Sequence, residues 1–436
     1  MSQLTPSFEE KFQPVVNLNL NVRGLKPSAT LAINELSNAL LEQGKKVYKF
    51  GLGQSPFPVP ESVVTALQEN AFQKDYLAVK GLYSLRETIA NVYLKKQEIE
   101  RTAEDIMVGP GSKELLFLLQ LVYYGDLVLP APSWVSYAPQ AQIVGRNVHW
   151  LATKEENDWC LTAEDLEALC RQDPDRPRII ILNYPNNPTG ATYNSQQIQA
   201  LAQVARKYRL ILLSDEIYGD VDHLGQHISI ARFYPEGTIV STGLSKWCGA
   251  GGWRLGIFAF PPSLRWLLNA MSVVASETFT ATSAPIQYAA VRAFEGGEDI
   301  DLYLQNSRRV LKVLGSAIYE KFQAHHITLP QPKGGFYLIP NFSHYSEKLK
   351  EKGILTSSDF CRQLLEDTGV ALLPGSDFGL PPHQLIARMA YVNFDGTQAL
   401  KVATTEYADC DLDDAFLEKC CGEVMEGIKV LVEWLK

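Results

Sequence analysis

The stretch Leu210-Ile-Leu-Leu-Ser-Asp-Glu-Ile-Tyr218 joins a short apolar run to a group of polar residues. Residues 210–213 are apolar without alternation, which is typical of a strand covered on both faces. Two largely apolar runs, 179–182 and 238–241, precede and follow it, and each also leads into polar residues. The carboxyl ends of parallel strands lie along one edge of a sheet, so we expect the functional site there.

Strands and helices alternate upstream of this stretch, from about residue 105 onward. Apolar periodicity and turn residues predict strands at 106–108, 127–129 and 148–151, with helices at 113–123 and near Val135. This alternation is typical of a parallel sheet with helices on its faces.

The two ends of the chain have a different pattern. The N-terminal part predicts a helix at 29–43, a strand at 47–52 and a helix at 61–74, and the C-terminal part predicts helices at 302–323 and 413–435 and a strand at 334–339. We therefore expect an α/β fold with a mostly parallel central sheet flanked by helices. Residues 60–305 would form the large domain, and a smaller α+β domain would come from both chain ends, 1–59 and 306–436.

The composition excludes several classes of protein. The chain has 436 residues, with 40 Lys and Arg against 49 Asp and Glu, for a formal charge of −9. Without basic runs, neither nucleic acid nor an anionic membrane surface is expected as a partner. The longest apolar run, 115–124, is too short to span a bilayer, and the N-terminus lacks a signal pattern. Seven cysteines without a CxxC pair predict reduced thiols, and we expect a cytoplasmic protein.

A glycine turn, Gly109-Pro-Gly-Ser-Lys113, leads into a predicted helix. The backbone amides of Ser112 and Lys113 would be unpaired there, and the helix dipole favours an anion such as a phosphate. An ordinary turn before a helix is the alternative, and the spacing matches neither a dinucleotide fingerprint nor a phosphate loop.

Four further residues have the chemistry of a pyridoxal phosphate site. Asp215 and Tyr218 are three apart after a strand, so a carboxylate and a phenol can face one ligand. Lys246 stands among small residues, where a lysine of lowered pKa can attack a carbonyl and form a Schiff base. Arg254 follows eight residues later and is suited to a phosphate. A Schiff-base lysine, a carboxylate for the ring nitrogen and a phosphate cradle are the parts that pyridoxal phosphate requires.

The motifs that carry these residues are Asn186-Asn-Pro-Thr-Gly190, Asp215 with Tyr218, and Ser245-Lys246 followed by Gly252-Trp-Arg-Leu-Gly256. In this order the chain resembles the fold type I class I/II aminotransferases, the family that includes aspartate aminotransferase. The resemblance runs over nearly the whole chain. It implies a fold type I architecture and pyridoxal 5'-phosphate as the cofactor.

The resemblance also implies roles for individual residues at the cofactor. Lys246 would hold the cofactor covalently, and Asp215 would pair with its ring nitrogen. Tyr218 and Asn187 would contact its phenolic oxygen, and Arg254 its phosphate, with Ser112, Lys113 and Ser245 nearby. Trp134, in Pro132-Ser-Trp-Val-Ser-Tyr137, would stack on the pyridine ring, the alternative being a core tryptophan.

Three more residues are implied at the substrate and at a subunit contact. Arg388, in Ala387-Arg-Met-Ala-Tyr391, would bind the substrate α-carboxylate in a two-bond fork, with the backbone of Gly53 nearby. Tyr76 resembles the tyrosine that reaches the phosphate from the neighbouring subunit. We therefore expect a homodimer with shared sites.

The chain departs from the family pattern in three places. Gly243 stands where many relatives have a phosphate-binding serine, and Ser245 and Thr242 are candidates to replace it. Extra residues are present near 345–358 and 395–411. The second insertion either shapes the substrate entrance or is a surface loop, and a surface loop is expected.

Two pairs of residues have metal-binding or redox chemistry but are not expected to be functional. His223 and His227 are four apart, but Gly225 lies between them and no third ligand follows, so no metal site is expected. Cys420 and Cys421 are expected to behave as small apolar residues in a helix.

The function expected from these residues is transfer of an amino group from an L-amino acid to a 2-oxo acid such as 2-oxoglutarate, by a ping-pong mechanism. Aspartate or an aromatic amino acid is the expected donor, with Arg23, Lys80, Tyr337 and Phe57 as candidates to bind its side chain. Two alternatives stay open: a β-elimination (C–S) lyase of the same fold, and a non-catalytic cofactor sensor.

Overall fold

The elements follow the predicted alternation of strands and helices. In this computed structural model, which describes residues 17–436, the helices are α1 (Ala29–Glu42), α2 (Glu61–Glu69), α3 (Tyr83–Thr88), α4 (Ser112–Val122), α5 (Tyr137–Ile143), α6 (Ala163–Gln172), α7 (Ser195–Lys207), α8 (Arg265–Ser276), α9 (Ala284–Glu295), α10 (Glu298–Gln323), α11 (Ser346–Glu351), α12 (Ser357–Thr368), α13 (Gly396–Thr405) and α14 (Asp414–Leu435). The strands are β1 (Tyr48–Lys49), β2 (Ile106–Gly109), β3 (Asp126–Ala131), β4 (Val148–Ala152), β5 (Arg178–Asn183), β6 (Ile211–Asp215), β7 (Thr238–Gly243), β8 (Gly256–Ala259), β9 (Tyr337–Leu338), β10 (Val370–Ala371), β11 (Leu373–Pro374) and β12 (Ala387–Ala390).

The central sheet has seven strands among the described residues, in the order β2-β8-β7-β6-β5-β3-β4. The strands from β7 through β4 in this order are parallel, and β8 pairs antiparallel with both β7 and β2. A mostly parallel sheet is therefore confirmed. Strand β8 was not predicted, because Gly256 was interpreted only as the end of the family motif Gly252–Gly256.

Helices cover the sheet on both faces, as the uninterrupted apolar runs predict. On β5, Ile179 and Ile181 join a core with α4 and α8, whereas Ile180 and Leu182 join another with α6 and α7. Successive side chains of a strand point to opposite faces, so each apolar run fills two cores at once.

The two chain ends meet in smaller sheets. Strand β1 pairs in parallel with β10, and β12 lies between β11 and β9 with antiparallel neighbours. This pairing joins the N-terminal and C-terminal parts, as the predicted fold requires. Helix α10 runs through the predicted boundary at residue 305, and the exact domain limits stay a prediction.

Three predicted elements differ in length from those observed. Helix α2 ends at Glu69 instead of residue 74, and the Asn70 side chain donates a hydrogen bond to the Ala66 carbonyl at that end. The strands expected at 47–52 and 334–339 are reduced to β1 and β9, of two residues each, and Gly334 forms an isolated bridge with Asp222. Gly334 and Gly335 instead donate backbone hydrogen bonds to the Gly190 and Val221 carbonyls in neighbouring loops.

The prediction of a surface loop at 395–411 is wrong for most of this segment. Residues 396–405 form α13, whose first turn is capped by the Asp395 carboxylate. Ala399, Val402 and Ala403 are buried where this helix packs against α10 and α14. The other insertion contains the short helix α11 and the start of α12.

No helix within residues 17–436 combines the length and the apolar character that a membrane crossing requires. The seven cysteines all lie within these residues, and each is a free thiol.

Candidate active site

A cavity of about 520 Å³ opens where the central strands end. Strand register explains its floor, because Asn183 and Asp215, the last residues of β5 and β6, lie side by side, and Ser241 of β7 lies next to Asp215. Groups from both parts of the fold line it, including Gly53, Ser112, Lys113, Trp134, Asn187, Asp215, Tyr218, Ser245, Lys246, Arg254, Tyr337 and Arg388. A groove of about 880 Å³ beside α1 is larger, but it has none of these groups.

Asp215 lies at the bottom of the cavity and is 3% exposed. Its Oδ2 accepts a hydrogen bond of 2.6 Å from Tyr137 Oη, and its Oδ1 accepts one of 3.2 Å from Ser241. Burial raises the pKa of Asp215 and outweighs the hydrogen bonds, which lower it. A buried carboxylate at this place can hold a proton on a ring nitrogen.

Tyr137 is a site residue that the sequence analysis did not identify. It stands three residues after Trp134, at the first position of α5, and a backbone hydrogen bond of 3.2 Å from its N–H to the Trp134 carbonyl closes a turn that presents both rings to the cavity. The two rings meet edge to face at 5.2 Å. The short spacing from Trp134 was the available signal for the place of Tyr137 at the cavity, although it does not reveal the hydrogen bond to Asp215.

Lys246 follows β7 and reaches the centre of the cavity. Its Nζ donates a hydrogen bond of 2.6 Å to the Gly53 carbonyl and lies over the rings of Tyr218 and Phe336, at 5.5 and 5.6 Å from their centroids. The approach of Lys246 to Gly53 places the amine beside the backbone segment that the sequence analysis assigned to the substrate.

Arg388, on β12, is a buried cation. Its guanidinium donates hydrogen bonds to the Gly51 carbonyl and, at 3.5 Å, to Asn187 Oδ1, and it stacks on Tyr337 and Phe378. Burial lowers its pKa, and within residues 17–436 no carboxylate lies within ion-pair distance of it. A planar fork held in this way is suited to bind a carboxylate from a ligand.

The glycine turn forms a cradle at the other end of the cavity. An added Cβ at Gly111, where φ is +93°, would lie 2.1 Å from Arg254 Nη2, and one at Gly256 would lie 2.0 Å from the Ser112 nitrogen. The two glycines thus let Arg254 and the start of α4 come together. The Ser112 and Lys113 amides have no acceptor in the described chain, so an anion fits beside them.

The unusual residue at 243 has a steric explanation. An added Cβ at Gly243 would lie 2.6 Å from the Leu255 carbonyl oxygen, which leaves no room for a serine. Ser245 lines the cavity, whereas Thr242 is buried below it with its hydroxyl 3.3 Å from that of Tyr93. Of the two candidates, Ser245 alone is placed to face a ligand.

Of the remaining candidates, all but Tyr337 lie outside the cavity. Tyr76 is 91% exposed and does not line it. Phe57 is buried in the core, Lys80 lies 3.8 Å from Glu104, and Arg23 is on the surface, so of the four side-chain candidates only Tyr337 lines the cavity.

The histidine pair does not converge on one point. His223 Nε2 lies 3.0 Å from the Gly335 carbonyl, and His227 Nε2 lies 2.9 Å from Glu216 Oε2. Each ring therefore has its own protein partner.

The cavity as a whole fits pyridoxal phosphate. It presents an amine for the aldehyde, a buried carboxylate for the ring nitrogen, an indole at its wall and a cradle of amides and guanidinium for the phosphate. Fold and cavity together define an enzyme that depends on this cofactor.

Comparison with known proteins identifies the family. Residues 45–403 match the family of aminotransferases of class I and II. The chain is 32% identical to an aspartate aminotransferase of Geobacillus stearothermophilus (86% of this chain, 94% of the relative). It is 30% identical to an asparagine–oxo-acid transaminase of Streptococcus mutans (86% and 95%). The structure of Thermus thermophilus aspartate aminotransferase with maleate has a TM-score of 0.79 at 27% identity (90% and 99%).

The chain belongs to the class I and II aminotransferases. It is thus an enzyme that transfers amino groups between amino acids and oxo acids, and its cofactor is pyridoxal phosphate. The predicted family, fold, reaction and cofactor are confirmed.

Proposed function

We propose that this aminotransferase takes aspartate as its amino donor and 2-oxoglutarate as its acceptor, in a ping-pong reaction. Both substrates carry two carboxylates. Among residues 17–436, four cations but only one carboxylate, Asp215, line the cavity, so its charge favours such ligands.

Lys113 is the observation that carries the proposal. Its Nζ lies over the Trp134 ring at 5.0 Å, and no carboxylate within residues 17–436 pairs with it. Surrounding protein atoms lower its pKa, and the charges of Arg254 and Lys246 lower it further. A second substrate carboxylate would relieve this repulsion, whereas an aromatic side chain would not.

The other cations have separate roles in this proposal. Arg388 binds the α-carboxylate through its fork, next to Asn187 and the Gly53 backbone. Arg254 binds the cofactor phosphate with Ser245 and the amides of α4. This division leaves Lys113 for the distal carboxylate.

Bound pyridoxal phosphate supplies an electron sink that makes the Cα–H bond of an amino acid acidic. Lys246 would hold the cofactor, and its Nζ would accept the Cα proton of the substrate. Asp215 keeps the ring nitrogen protonated, and Tyr218 and Asn187 contact the phenolic oxygen. Trp134 stacks on the ring and limits its tilt.

We also propose a homodimer in which Tyr76 reaches the phosphate of the partner's site. Tyr76 and Phe72 are 91% and 74% exposed on one segment, which is unusual for aromatic residues of a monomer. A cytoplasmic location agrees with the seven free thiols.

The substrate proposal is tested with Lys113→Ala. A hydrogen bond to a charged group is worth about 1.5–3 kcal/mol, so KM for aspartate should rise about ten- to a hundredfold while KM for tyrosine does not rise. Lys80→Ala, whose ammonium lies outside the cavity, is the matched control. An unchanged KM for aspartate, with the cofactor fully bound, would contradict the proposal.

A further inference from the structure

We infer that Tyr337 is a positioning residue that directs the hydroxyl proton of Tyr218 toward the cofactor. The two hydroxyl oxygens lie 2.9 Å apart, and both side chains are buried. The inference rests on the proposed contact of Tyr218 with the phenolic oxygen of the cofactor. It adds a residue that acts through Tyr218.

The hydroxyl of Tyr337 has two acceptors within reach. One is Tyr218 Oη at 2.9 Å, and the other is the Gly53 carbonyl oxygen at 3.4 Å. Since a hydroxyl carries one proton and the bond to Gly53 is long, donation from Tyr337 to Tyr218 is favoured.

The direction of this bond decides what Tyr218 offers to a ligand. When Tyr337 donates, Tyr218 keeps its own proton for another acceptor, and the first bond strengthens the second. If Tyr218 instead donated to Tyr337, it would have no proton left for the ligand and would present only its lone pairs. A phenolic oxygen that carries negative charge requires the first arrangement.

Tyr337 is held firmly enough for this role. An added Cβ at Gly53 would lie 1.9 Å from Tyr337 Oη, so the hydroxyl lies directly against the backbone. The Arg388 guanidinium stacks on its ring at 4.9 Å, and the Tyr218 ring meets it edge to face at 5.5 Å. Removal of the hydroxyl in Tyr337→Phe preserves the ring and these contacts.

The test is a pH titration of the visible absorption band of the holoenzyme. Tyr218→Phe should raise the midpoint, because the phenolic oxygen loses a donor that stabilises its deprotonated form. Tyr337→Phe should raise it in the same direction by a few tenths of a pH unit, about the size expected for one bond that strengthens another. The double variant should match Tyr218→Phe, since Tyr337 acts through Tyr218.

Tyr391→Phe is the matched control. This buried tyrosine lies 3.3 Å from the Gly335 carbonyl, outside the cavity, and its loss should leave the midpoint unchanged. An unchanged midpoint in Tyr337→Phe, or additive shifts in the double variant, would overturn the inference. If Tyr218→Phe does not move the midpoint, the proposed contact of Tyr218 fails as well. The absorption band does not depend on which amino acid is the substrate. The KM measurements therefore test the aspartate proposal separately from this inference.

Discussion

Tyr137 Oη donates a hydrogen bond of 2.6 Å to Asp215 Oδ2, and both of these buried residues line the cavity. Burial alone favours the protonated form of Asp215, which cannot stabilise a protonated ring nitrogen. The Tyr137 hydroxyl opposes this effect because it donates to the ionised carboxylate. The hydrogen bond from Tyr137 thus offsets part of the cost of burying the Asp215 carboxylate, which must be ionised to stabilise the protonated ring nitrogen.

Tyr137→Phe should move the acid limb of the kcat/KM profile to higher pH. The hydrogen bond lowers the pKa of Asp215, so its loss raises that pKa by about one to two units, and more Asp215 is protonated at a given acidic pH. Ser241→Ala removes the longer bond of 3.2 Å and should cause a smaller shift. Superimposable profiles for wild type and Tyr137→Phe would show that the hydroxyl does not tune Asp215.

Gly243→Ser should destabilise the protein, although the family resemblance suggested a phosphate-binding serine at this position. The added Cβ would lie 2.6 Å from a backbone carbonyl that cannot move freely, and overpacking of this kind costs about 1–3 kcal/mol. The free energy of unfolding in denaturant measures the effect. Gly422→Ser, where an added Cβ has no neighbour within 4 Å, is the control. Equal stability of the two variants would refute the steric explanation.

Tyr76→Phe should weaken retention of pyridoxal phosphate about three- to tenfold, as expected for one lost hydrogen bond. Titration of the apoenzyme with the cofactor measures the Kd, and light scattering should give twice the mass of one chain. Tyr124→Phe, at a tyrosine that is 90% exposed, is the control. A monomer that binds the cofactor tightly would contradict the shared site.

The sequence was most informative where one physical pattern determined one element. The central strands were predicted to within two residues at each end, because an uninterrupted apolar run of this length is typical of a strand that is buried on both faces. Strand β8 was missed because its first residue stood out only as part of a family motif, and helix α13 was misjudged because much of its packing surface lies on α10, which is distant in the chain. The packing of α13 against α10 and α14 is not visible in residues 396–405 alone.

The site was predictable only in part, because some of its residues are joined by contacts between distant parts of the chain. Lys246, Asp215 and Arg388 stand in recognisable motifs, and the structure places them around one cavity. Tyr137 and Tyr337 belong to the same constellation through hydrogen bonds to residues 78 and 119 positions away. Such contacts depend on strand order and register, which no local spacing reveals.

The most direct test of the proposed reaction is the visible spectrum of the purified holoenzyme during its two half-reactions. Aspartate alone should bleach the band, and 2-oxoglutarate added afterwards should restore it, while Lys246→Ala should lack the covalent band altogether. A band that aspartate leaves unchanged, or one that recovers without any oxo acid, would contradict transamination of aspartate through Lys246.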